Sequence, residues 1–436
     1  MSEKWDDDQR SDQTNLSDDK QNGAEEQDKF SFLQETFKDE QVTTKTVWKQ
    51  ICKTAGRGLI FGVVACLVFC ALKPWVEPLF DRSDTVTITE DDEENRQTEN
   101  EDDEADEENS DAELTVEDYQ ELHAALYKLT LEASKSVVEI RPDNGTEIKN
   151  TDYENMNSVS GMIIWNEGSE ILVLTSTRIT KDDEPLKAIF CDGSEYPATL
   201  KKKDRNLGMA VLAVDRRSVT EETLGQIKTA VLGNSNFVQR GDPVVALGKQ
   251  FGYSGGVGYG IITANKNEKV LIDRTCRILS TDIATSSNGS GVLFNIDGEV
   301  IGLIDQHIGT NGDRILMTAY AVSDIKKDIE LLSNGKSIPY LGISGLEVTD
   351  EIAAENEIPK GVYVSEVAAD SPAMAAGIQS GDVLTSLNEK RISTVSAYEQ
   401  ELLKTEPGHE IKVKGLRHGA EEYVEIEFTV TIGSMD

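Results

Sequence analysis

Between Ser136 and about Thr318 the chain passes through nine short runs rich in β-branched and aliphatic residues, SGMIIW, ILVLTS, KAIFCDG, MAVLAV, DPVVALG, GIIT, KVLID, GVLFN and EVIGLI. Gly, Asn or Asp interrupts them each time, and SVVEIR (Ser136–Arg141) opens the series with strand-like alternation. Runs of this length between turn residues, with few long helices, point to β-barrels or sandwiches, which hide the sheet edges. Ahead of them, Val116 to Ala133 has helical apolar spacing at Tyr119, Leu122, Leu126 and Leu129. Behind them, Ile325 to Leu332 reads as a short helix stopped by Asn334 and Gly335.

Within the β region, Leu279 to Leu303 reads LSTDIATSSNGSGVLFNIDGEVIGL and sets Ser290 between two glycines. Flanking glycines free the backbone for a tight turn whose amides face inward, a geometry suited to a nucleophile beside an oxyanion hole. The stretch resembles the active-site serine segment of HtrA/DegP-type trypsin-like serine proteases, where Thr-Asp-Ala-Ala leads into Gly-Asn-Ser-Gly-Gly-Pro-Leu. Registering on Thr281 and Asp282 puts Ser290 at the nucleophile position with one glycine missing after it, whereas registering on Leu293 puts Gly289 there. Ser290 is the favoured reading. Leu232 to Gly252 (LGNSNFVQRGDPVVALGKQFG) is similar to another family segment, with Lys249 and Gln250 in place of Asn-Pro. The resemblance implies a mainly β fold, a pair of six-stranded barrels over 115–334 with a cleft between them.

A serine hydroxyl is a weak nucleophile until a base takes its proton and a third group orients that base. By the resemblance, the base histidine follows Leu-Thr at the end of ILVLTSTRIT, where this chain has Arg178. A guanidinium stays protonated and has no acceptor lone pair. The orienting aspartate would precede Leu-Ala-Val-Leu, where NLGMAVLAVD has Gly208. The four histidines, His123, His307, His409 and His418, all lie outside the span from the first barrel strand to the serine segment. Asp204 and Asp215 flank Gly208, but an orienter without a base has nothing to orient.

The last block, 338–433, carries YLGI (Tyr340 to Ile343), then GVYVSEVAADSPAMAAGIQSGDVLTSLNEKRI and AYEQELLK, and looks like an α+β PDZ domain of the HtrA type. In such a turn Tyr340, Leu341, Gly342 and Ile343 aim consecutive amides at a peptide's terminal carboxylate. The peptide then adds as a strand beside a helix at about Val395 to Lys404.

The first part of the chain is different in kind. Residues 1–50 are mostly polar and low in aliphatics, with one small apolar cluster at Phe30, Phe32, Leu33 and Phe37, and read as a disordered cytoplasmic tail. Gly58 to Leu72 (GLIFGVVACLVFCAL) is uncharged; with Lys53, Arg57, Lys73 and Trp75 at its margins, 54–76 reads as a single transmembrane helix. More than fifty residues precede it and no small-x-small cleavage site follows, so a signal anchor is expected rather than a signal peptide. Lys38, Lys45, Lys49, Lys53 and Arg57 put the N-terminus inside and the protease-like and PDZ domains outside the cytoplasm. From Glu90 to Glu113 fifteen acids face one arginine, so 81–114 reads as a disordered acidic linker. The net charge of -37 disfavours nucleic acid as a partner. Five cysteines show no metal spacing, and Cys191 and Cys276 read as buried free thiols; no metal or cofactor is expected.

The expectation is therefore a membrane-anchored, HtrA-like serine protease fold without its proton relay, a pseudoprotease. It would recognise exposed peptide C-termini or unfolded proteins through the PDZ domain. The alternative is an active endopeptidase of extracytoplasmic protein quality control. The resemblance adds a homotrimer built through the protease domain.

Overall fold

The computed structural model describes residues 85–91, 115–143, 158–180, 185–305 and 316–436. The tail 1–50, the apolar run 58–72, His307 and most of the acidic linker lie outside the described residues. Among the described residues no helix is long and apolar enough to cross a membrane.

Helix α1 (Val116–Ser134) starts at Thr115, whose hydroxyl and the Asp118 carboxylate cap each other's backbone. Six strands then close the first barrel: β1 (Val137–Pro142), β2 (Val159–Glu167), β3 (Glu170–Ser176), β4 (Leu186–Ile189), β5 (Glu195–Asp204) and β6 (Met209–Asp215), in the order β1-β2-β3-β6-β5-β4. After the short helix α2 (Glu221–Gln226), the second barrel uses β7 (Pro243–Gly248), β8 (Gly256–Leu271), β9 (Arg274–Ala284), β10 (Ser290–Phe294), β11 (Val300–Asp305) and β12 (Leu316–Ala321). Its order is β10-β11-β12-β9-β8-β7.

The unbroken apolar run of β3 follows from burial on both faces. Ile171 and Val173 point into the first barrel with Ile140, Ile163 and Leu212. Leu172 and Leu174 point the other way, into a cluster shared by the two barrels with Met209, Leu247, Val292 and Phe294. The seam between the barrels is thus an apolar core, and polar groups at its edge are held against fixed walls.

Helix α3 (Val322–Ser333) leads into the PDZ domain, passing from the last barrel strand into β13 (Pro339–Tyr340), β14 (Ile343–Glu347), α4 (Asp350–Asn356), β15 (Val362–Val367), α5 (Pro372–Ala376), β16 (Val383–Leu387), β17 (Lys390–Arg391), α6 (Val395–Leu402), β18 (Glu410–His418), β19 (Tyr423–Thr431) and β20 (Gly433–Ser434). Its main sheet runs β14-β15-β16-β18-β19, with β17 paired to β16 and β13 to β20. Tyr398 and Leu402 of α6 pack on Leu341, Ile343 and Val364.

Three details depart from the sequence reading. GIIT and the start of KVLID (Lys269 to Leu271) belong to one strand, β8, which bulges between Ile262 and Ala264 and between Ala264 and Asn267, while Ile272 and Asp273 form the turn after it. Cys191 lies in the turn after β4 and is exposed, whereas Cys276 is buried, since the strand ends before Cys191 can point inward. Residues 85–91, assigned by composition to the linker, lie against α3: Val86 is buried and exchanges hydrogen bonds with the Asn334 side chain at 3.0 and 2.8 Å. Lys326 holds Asp91 at 2.7 Å.

Candidate functional site

The barrel seam brings the first set of sequence-selected residues together. Ser290 opens β10 and is 2 % exposed. Its Oγ accepts a hydrogen bond from the Ser160 amide of β2 at 3.0 Å, so the hydroxyl ties one barrel to the other. The following Gly291 is required by close approach, because a Cβ there would lie 2.4 Å from the Leu247 carbonyl oxygen. Arg178 sits in a 3-10 turn (Thr177–Ile179) at the end of β3, and its Nη2 donates to the Gly289 carbonyl at 3.4 Å. Its Nε is buried without a hydrogen-bond partner among the described residues. Gly208, at φ +70°, accepts from the Thr177 amide at 2.8 Å. Ser160, Ser176, Gly208, Ser290 and Tyr320 line a cavity of about 10 Å³, room for roughly one water.

Among the described residues no imidazole or carboxylate hydrogen-bonds Ser290 Oγ; its partner is an amide. The other registration fares no better chemically. Gly289 has no hydroxyl, and its amide closes a turn on the Ser286 carbonyl at 3.0 Å. His123 lies on α1, and His409 and His418 lie in the PDZ domain.

Two residues that sequence reasoning did not place in the site also meet at the seam. Lys249 is 4 % exposed, donates from Nζ to Ser158 Oγ at 2.7 Å, and gives its amide to the Ser290 carbonyl at 2.8 Å. Burial lowers the ammonium pKa; Glu139 opposes this and the Arg178 cation adds to it. The substitution of Lys249 for the family's Asn was the available signal. Ser158 had none.

The second set of residues forms a carboxylate-binding turn. Gly342 takes φ +100°, and the amides of Leu341, Gly342 and Ile343 all point the same way. They converge on the side chain of Asp273, at the tip of the β8–β9 hairpin, with distances of 2.8, 2.8 and 3.0 Å. Tyr398 donates its hydroxyl to Asp273 Oδ1 at 2.6 Å, and the Asp273 amide donates to the Ile343 carbonyl at 2.7 Å. Burial raises the Asp273 carboxyl pKa, with Tyr398 and the three amides pulling it back. Tyr340 itself is half-buried beside this group. Next along the hairpin, Arg274 is buried and grips Asp328 of α3 through both nitrogens at 2.5 and 2.9 Å, and Glu399 of α6 at 3.0 Å.

The Trypsin-like peptidase domain family matches residues 159–303, and the PDZ domain family matches residues 339–428. "Serine protease Do-like HtrB" of Bacillus subtilis is 30 % identical over 280 residues, covering 60 % of this chain and 59 % of the relative. "Probable periplasmic serine endoprotease DegP-like" of Pseudomonas putida is 32 % identical over 284 residues, covering 63 % of this chain and 56 % of its own length. The chain therefore spans little more than half of such relatives. Among solved structures, the HtrA-type protease AlgW with decapeptide superposes with a TM-score of 0.51 at 22 % identity, covering 71 % of this chain and 99 % of that one.

Proposed function

This chain is an HtrA/DegP-type protein, a trypsin-like peptidase fold followed by a PDZ domain, and from that premise we propose that it acts by binding rather than by hydrolysis. The observation that carries the reading is chemical: the Ser290 hydroxyl meets an amide donor instead of a proton acceptor, and by the resemblance Arg178 and Gly208 stand where the base and orienter would be. Oxyanion hole and binding alone leave about 10³ to 10⁴ over water in the subtilisin case, which for peptide hydrolysis is no useful turnover. The converging amides of residues 341–343 support a role in capturing carboxylate-terminated peptides or unfolded chains. The apolar run Gly58–Leu72 supports a membrane anchor with both domains outside the cytoplasm, and the resemblance supports a homotrimer.

A working endopeptidase is the second reading, favoured by the relatives' names, one a serine protease and the other a probable periplasmic serine endoprotease. It would need a base, and the buried amine of Lys249 is engaged with Ser158. One preparation tests both. The full chain is expressed in bacteria, recovered from carbonate-washed membranes and treated with a fluorophosphonate probe and an unfolded substrate, with Ser290→Ala in parallel. The expected result is protein in the washed pellet with no serine-dependent labelling and no cleavage. Labelling that disappears in Ser290→Ala overturns the binding reading, and protein released by carbonate overturns the anchor.

A further inference from the structure

The carboxylate turn of the PDZ domain is already filled. Three consecutive amides and a phenol hydroxyl converge on one carboxylate, and that carboxylate is the chain's own Asp273. The backbone around it repeats the pattern of an added strand, since the Asp273 amide donates to the Ile343 carbonyl at 2.7 Å. We infer that Asp273 is an internal ligand of the PDZ turn, and that an external peptide C-terminus binds there only by displacing the tip of the β8–β9 hairpin. This rests on reading residues 340–343 as a peptide-carboxylate site.

The tip is built to stay in place. Asp273 takes φ +64°, in the left-handed region that Asp tolerates better than most residues. On one side, Ile272 exchanges hydrogen bonds with the Asn206 side chain of the first barrel at 2.7 and 3.3 Å. On the other, Arg274 holds Glu399 of α6, the helix that would flank an incoming peptide. Withdrawing Asp273 therefore pulls against both barrels and the PDZ helix at once, so peptide capture is coupled to release of the PDZ domain from the hairpin. The competitor must itself bring a carboxylate acceptor. A free C-terminus does so, and an amidated one does not.

The test uses the full chain, wild type and Asp273→Ala. Hydrogen–deuterium exchange is read in the segment 340–343, and fluorescence anisotropy is read with labelled decapeptides ending in free Val, Leu or Phe, their amides serving as controls. Asp273→Ala should speed exchange of the 341–343 amides and tighten binding of the free acids, each by about tenfold or more, while the amides bind neither protein. Unchanged exchange with equal affinities overturns the internal ligand and leaves the peptide reading standing. Faster exchange without any free-acid binding overturns the peptide reading, and displacement with it, while the Asp273 contact survives. Should Asp273→Ala not fold, Asp273→Asn keeps the volume but turns an NH₂ group toward the same donors. It should move both readings in the same direction, and unchanged values in that variant overturn the inference.

Discussion

On the binding reading proposed above, Arg178 stands where the resemblance would put the base histidine. It fills the end of β3, reaches the Gly289 carbonyl and carries a fixed positive charge, so the seam keeps its shape without a proton acceptor. On the same reading the orienter position is Gly208, with no carboxylate to hold an imidazole, so replacing Arg178 alone is not expected to recreate a relay. In the trypsin template, loss of the orienting carboxylate alone costs about 10⁴ in turnover. Arg178→His should accordingly leave fluorophosphonate labelling and cleavage of unfolded casein at the wild-type level. Serine-dependent casein cleavage by that variant would show that Ser290 needs only a base.

At the scale of elements, the decisive unit is the β8–β9 hairpin, which carries Asp273 into the PDZ turn and Arg274 into a buried pocket between α3 and α6. Arg274 is 4 % exposed and Asp328 is fully buried, so the pair exists only as a pair. Arg274→Met removes the cation and strands two acids, at a cost of about 3–5 kcal/mol read from urea unfolding. A loss under about 1 kcal/mol would mean the pocket admits water and the hairpin is loosely held. Much of the surrounding fold was legible beforehand: the runs ILVLTS and MAVLAV became β3 and β6, and Val116 to Ala133 became α1 nearly to its bounds. The hairpin was not. β8 alternates between exposed and buried and bends at two bulges, so its middle, ANKNEK, reads as a loop. The polar run EYPATLKKKD likewise conceals β5, whose neighbours in the barrel supply the apolar side. The turn at residues 340–343 could be recognised locally, but its occupant comes from a residue 68 to 70 positions earlier, and a lone Ile-Asp-Arg carries no signal of that contact.

For the molecule as a whole, acid dominates, and the described fold concentrates part of it where charge is costly. Burial raises Glu399 to about 7, with Asp328, Asp324 and Asp273 adding to the rise and Arg274 opposing it. Asp204, buried beside the turn that holds Gly208, is raised to about 6 by burial against the hydrogen bond from the Leu207 amide. Both groups have ordinary values near 4 in the unfolded chain, 4.5 and 3.8. Between about pH 4 and 7 the folded protein thus binds more protons than the unfolded one, and stability falls as pH rises through that window. The carboxylates of Asp192 and Asp436, whose pKa values are lowered, lose their contribution only further down, as pH drops below their unfolded value of 3.8. Self-repulsion at a net charge of -37 acts in the same sense as the two raised acids. The melting temperature should therefore be higher at pH 5.5 than at pH 7.5, by roughly 3–6 °C. Salt should reduce only the repulsive share of that difference, since buried groups are poorly screened. Glu399→Gln and Asp204→Asn each remove a proton-linked group and should flatten the profile measured by calorimetry at fixed ionic strength. A wild-type melting temperature that rises from pH 5.5 to 7.5 would mean that Glu399 is ionised throughout, held by Arg274 strongly enough to outweigh its burial and its three acidic neighbours.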